Sequence, residues 1–105
     1  MSEKGKRFNE ILIQSIDTTM VELLGSRVSS DLHKHLKGHY GVTSEELPYR
    51  LETMYALLKD VFGITGERTI ERQIARRFAR EFNIPFLDTI DCTLPMYIDK
   101  AKAIS

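Results

Sequence analysis

Cysteine is nearly missing from this chain. Cys92 is the only one in 105 residues, so no internal disulfide can form, and the composition fits a reducing cytoplasm. A charge excess of either sign is missing too. Fifteen acidic and fifteen basic residues cancel, which removes any global drive toward nucleic acid or acidic membranes. No apolar run approaches the ~20 residues that span a bilayer, and the polar stretch Met1 to Arg7 holds no apolar region of the signal-peptide kind. Strand-like alternation, internal repeats and low-complexity stretches are not visible. Gly63-Ile64-Thr65-Gly66 lacks the lysine and the preceding strand of a phosphate loop, and Asp88, Asp91 and Asp99 do not have calcium-loop spacing. What remains is 42% hydrophobic and 29% charged residues, an ordinary globular composition able to bury roughly 65% of its unfolded surface in one domain.

What is present is helical periodicity, and it predicts an all-α fold: a compact bundle of four main helices plus an apolar C-terminal arm or short fifth helix. The first helix runs from about Arg7 to Leu24, with Phe8, Ile11, Leu12, Ile16, Met20, Leu23 and Leu24 on one stripe. Gly25 stops it, and Ser26 reads as the N-cap of a second helix carrying Val28, Leu32, Leu36 and Tyr40 at i,i+4 steps up to Gly41. Thr43-Ser44-Glu45-Glu46 resembles a capping sequence opening a short turn, which Pro48 interrupts, biasing Leu47 away from the helical region. A third helix spans about Tyr49 to Phe62, with Leu51, Met54, Tyr55, Leu58, Val61 and Phe62 on its face, and Gly63 ends it. Thr65-Gly66 leads into a fourth, about Glu67 to Phe82, with Ile70, Ile74, Phe78 and Phe82 on one ridge, ended by Asn83 and Pro85. Short linkers predict antiparallel or orthogonal packing.

This gives three sections: a flexible N-terminus (1–7), a helical bundle (8–84), and an arm (85–105) docking on its own bundle or on a partner. The arm holds Phe86, Leu87, Ile90, Leu94, Met96, Tyr97 and Ile98, too apolar for a solvated tail, while Pro85 and Pro95 break any long helix. It is the candidate dimer arm.

The run Leu36-Lys37-Gly38-His39-Tyr40-Gly41-Val42, then Glu45-Glu46-Leu47-Pro48, then Leu57-Leu58-Lys59-Asp60-Val61-Phe62-Gly63, then Ile70-Glu71-Arg72-Gln73-Ile74 carries a pattern. It resembles a small archaeal helical domain, the Nitrosopumilus-type output domain, found alone or attached to signalling proteins. The resemblance covers roughly residues 10–82. It implies an output role with a possible signalling partner, and it implies no defined catalytic activity.

Three groups of polar residues stand out. His35 and His39 are i,i+4 neighbours in the sector of Val28 and Leu32, and Glu71 falls in the apolar sector of the fourth helix. They could converge as a two-histidine, one-carboxylate metal or ligand site. The structural reading is preferred, because histidines bridge helix interfaces well and Glu71 has Arg68 at i−3. Arg68, Arg72, Arg76 and Arg80 form an i,i+4 row with Arg77 beside it, open to phosphates or an acidic partner. A solvated, salt-bridged face is preferred there, because no aromatic residue interleaves to stack bases. Cys92, between Asp91 and Thr93, is a poor nucleophile, since its acidic neighbourhood disfavours the thiolate.

The expected function is therefore a non-enzymatic, cytoplasmic interaction or signal-output module that works as a homodimer and needs no cofactor. A metal or small-ligand sensor at His35, His39 and Glu71, or weak nucleic-acid binding through the arginine row, are the alternatives.

Overall fold

Two glycine corners and one proline turn cut the chain into helices. The computed structural model describes residues 2–86 and 93–104, with side chains described for 7–86 and 93–103. Helix α1 spans Ser2–Leu24, α2 Ser26–Tyr40, a 3₁₀ turn Ser44–Tyr49, α3 Leu51–Glu81 and α4 Leu94–Ile104. No strand occurs among the described residues, and none of their helices is long and apolar enough to cross a membrane. The fold is an all-α bundle.

Gly25 makes the first corner alone. Its φ of 89° and ψ of 157° lie where only glycine rests without strain. Its N–H donates to the Val21 carbonyl, closing α1, and its own carbonyl accepts from Ser29 N–H, opening α2. Ser26, expected as the N-cap, is already inside α2; the one-residue corner leaves the cap position to Gly25, which makes no side-chain bond. The capping sequence before Pro48 forms as expected. Thr43 Oγ1 donates to Glu46 Oε1 at 3.0 Å, and the Glu46 N–H donates to the Thr43 carbonyl. The turn runs through Pro48 in 3₁₀ geometry, burying Leu47 completely.

The expected third and fourth helices are joined as α3 with a sharp break at Gly63 (φ 79°, ψ 174°). Thr65 and Gly66, read as a linker, are helical. Gly66 is needed for closeness: a Cβ there would sit 2.7 Å from Phe62 Cβ across the break. Asn83, at φ 56°, takes the left-handed cap of α3, and Ile84 N–H reaches back to the Ala79 carbonyl.

Helix α1 is the central element, packed against α2, the 3₁₀ turn and α3. Its buried stripe is Phe8, Leu12, Ile16 and Met20; Leu23 is exposed. Phe8 meets Phe78 and Phe82 at 5.6 Å centroid separations, whereas Glu22 near the other end of α1 pairs with Arg77. On α2 the buried positions are Ser29, Leu32 and Leu36. Val28 and Tyr40 are exposed, because an i,i+4 row drifts around the helix and cannot follow one contact line for three turns.

Of the two surfaces open to the arm, its own bundle or a partner, the described residues pack on the bundle. Leu94, Tyr97, Ile98 and Ala101 are buried in the core, packed on α3, and Phe86 stacks on Tyr97 at 5.4 Å. Met96 is half-buried against the same core. Pro95 starts α4 rather than breaking it: in the first turn its missing N–H removes no helical bond. Leu87, Ile90 and Cys92 lie outside the described residues.

Candidate functional site

The chemistry-bearing side chains fall into an interior acidic cluster and a basic cleft. The cluster stands on α3 just beyond the Gly63 break. Glu67 is 3% exposed. Its Oε2, like Tyr55 Oη, is a buried atom with no hydrogen-bond partner among the described residues. Burial first, and then the neighbouring Glu71 carboxylate one turn on, hold the Glu67 carboxyl above its ordinary value, against the lowering pull of Lys59 and Arg68. A side-chain hydrogen bond to Glu71 acts in the same direction. The Tyr55 phenol is pushed up by burial and by both carboxyls.

Glu71 itself has a structural task. Its Oε2 accepts the Leu94 N–H at 3.2 Å, capping α4 from a different helix. Glu71 thereby ties α4 to α3. His35 and His39 are elsewhere in character: both are exposed, their rings 4.3 Å apart edge to face, with Tyr40 beyond them. No group of three metal-ligating side chains occurs among the described residues, so the alternative metal site of His35, His39 and Glu71 does not assemble. The physical reason is the drift of the α2 row, which turns both histidines to solvent while Glu71 turns toward α4.

Sequence reasoning missed Glu67. The signal was there: Glu67 and Glu71 are one turn apart in the same sector as Ile74 and Phe78, and two acids in an apolar sector are costlier than one. The remaining histidine, His33, reaches Asp17 at 2.9 Å and ties α2 to α1.

The arginine row divides. Arg76 and Arg80, with Arg77 between them, line a cleft of about 280 Å³ between α1 and α3. Gln73 lies on the same helix; Thr19, Glu22 and Leu23 close it from α1. Arg68 and Arg72 do not line it, because a row from 68 to 80 turns by about a third of the helix circumference. Arg77 Nη2 donates to Glu22 Oε2 across the cleft. Two buried atoms of the lining residues stay unpartnered among the described residues: Arg77 Nε, and Oγ1 of Thr19, a residue only 3% exposed.

No family model, curated protein or solved structure matches the chain.

Proposed function

We propose that the chain is a non-enzymatic helical interaction module that associates with a second copy of itself, as part of a cytoplasmic signal-output system. The observation that carries this reading is where the surplus apolar surface lies. Helix α4 spends its apolar face inside the protomer, so self-association needs another surface. Large exposed apolar side chains flank the glycine corners: Val61 (53% exposed) and Ile64 (62%) beside Gly63, and Val21, Leu23 and Val28 around Gly25. β-branched side chains on a rigid corner lose little entropy on docking. The formal net charge of zero removes long-range repulsion between copies. The likeness of residues 10–82 to the Nitrosopumilus-type output domain supports a signalling partner. The lone Cys92 supports a reducing compartment.

The test is mass by light scattering on the wild type and on a Val61→Lys, Ile64→Lys double variant. Both positions are exposed, so the variant should keep its helical signal. A dimer that becomes a monomer supports the reading. A monomeric wild type, or a variant that keeps the dimer mass, rejects it.

A further inference from the structure

The geometry points to the cleft between α1 and α3 as a binding site for the phosphate group of a small phosphomonoester, held by Arg76, Arg77 and Arg80 and by the buried hydroxyl of Thr19. Four observations carry it.

The first is charge. The cleft brings three guanidiniums together on little more than one turn of α3, with Glu22 as the only acid lining it. Among the lining residues the arginines exceed the acid by two positive charges, in a concave, partly desolvated space on a chain whose total charge is zero. A phosphomonoester dianion matches that surplus.

The second is Thr19. A helical threonine ordinarily donates its hydroxyl to the carbonyl one turn back, or faces water. Thr19 is buried and its hydroxyl makes neither contact among the described residues. An unmade bond at a buried hydroxyl costs roughly 1–3 kcal/mol. Thr19 is among the residues that line the cleft, and its hydroxyl is a donor without a partner in the wall behind that space.

The third is Arg77. One of its terminal nitrogens holds Glu22, while its Nε–H is buried and donates to nothing among the described residues. Guanidinium recognises phosphate through two parallel donors. Glu22, more than half exposed, supplies one carboxylate to that fork and stands where a ligand anion would compete. Arg76, Arg80 and Gln73 add donors around the same space.

The fourth is size. A volume of about 280 Å³ takes a phosphate with a small organic residue. Leu23 at the rim offers an apolar edge to that residue. A monomer holds the whole cleft, and Leu23 at its rim also belongs to the apolar surface proposed for self-association.

The experiment is a titration followed by NMR, reading the Arg77 Nε–H and the backbone amides of residues 73–80 at constant ionic strength. Inorganic phosphate and glucose 6-phosphate are the two probes, with sodium chloride as control. A saturable shift confined to the cleft is expected. Equal affinity for both probes assigns the site to the free ion, and tighter binding of the sugar phosphate assigns it to a monoester. Arg76→Gln and Arg80→Gln should each weaken binding by roughly tenfold. Thr19→Val should weaken it several-fold while leaving the melting temperature equal or higher. Glu22→Gln, an exposed change, should tighten it by removing the competing carboxylate. Shifts that never saturate and spread over all basic residues overturn the proposal. So does a Glu22→Gln variant that binds no tighter together with Arg76→Gln and Arg80→Gln variants that bind as before. Tight, salt-sensitive binding of a single-stranded oligonucleotide without any response to the small phosphates also overturns it, in favour of a nucleic-acid face.

Discussion

Protonation of Glu67 is coupled to folding. Its folded carboxyl is held above the ordinary value of 4.5, first by burial and then by Glu71, so the folded state binds the proton more tightly than the unfolded chain. The contribution to stability is full below pH 4.5 and is lost as pH rises through the raised folded value. Glu67→Gln keeps the shape and the hydrogen-bond donor and removes the ionisation. We expect it to raise the melting temperature near pH 7, with a gain on the order of 1 kcal/mol, and to leave stability near pH 4 little changed. Thermal melts across that pH range check both halves. An unchanged pH slope in the variant would show that Glu67 is not the titrating group. The position was legible only in part. Glu71 drew notice as an acid in an apolar sector, but its real partner, the Leu94 N–H, is 23 residues away and no periodicity announces it.

Glycines at the element boundaries have opposite expected effects according to backbone and space. Gly63 sits at φ 79° and ψ 174°, so Gly63→Ala should cost about 1–3 kcal/mol through strain at the break in α3. Gly66→Ala drives a Cβ to 2.7 Å from Phe62 Cβ, and neither atom belongs to a flexible chain end, so it should destabilise as well. Gly38 is in the interior of α2 with nothing within 4 Å of an added Cβ, and Gly38→Ala should stabilise by about 0.4–1 kcal/mol. Denaturant titration of the three variants gives the signs; a stabilising Gly63→Ala would mean that the break is not held in the native state. The stops themselves could be read from the chain, because glycine and proline act locally through φ and a missing donor. That residues 51–62 and 64–81 would abut across a single residue could not, since Thr65-Gly66 looks like a linker until Phe62 is seen packed on Gly66.

At the scale of the whole molecule, α4 completes the core. Burying Leu94, Tyr97 and Ile98 contributes about 1.5–3 kcal/mol for each side chain before the entropy of ordering the segment is subtracted, in a domain whose net stability is of the ordinary order of roughly 5–15 kcal/mol. Removing residues 94–104 should therefore abolish cooperative melting and leave an aggregation-prone chain rather than a clean monomer. Calorimetry and light scattering on the truncated protein check this, and a retained sharp transition would place α4 outside the core. Helix class, helix count up to the α3 break, and most of the buried stripe on α1 follow from the sequence by itself, because they depend on spacing within one turn and on local backbone chemistry. Where α4 docks, why His35 and His39 part from Glu71, and how Thr19 of α1 comes to share a cleft with Arg76, Arg77 and Arg80 of α3 were decided by tertiary structure alone. Those outcomes turn on the rotational drift of each helix face and on which face meets which, and a one-dimensional pattern contains neither.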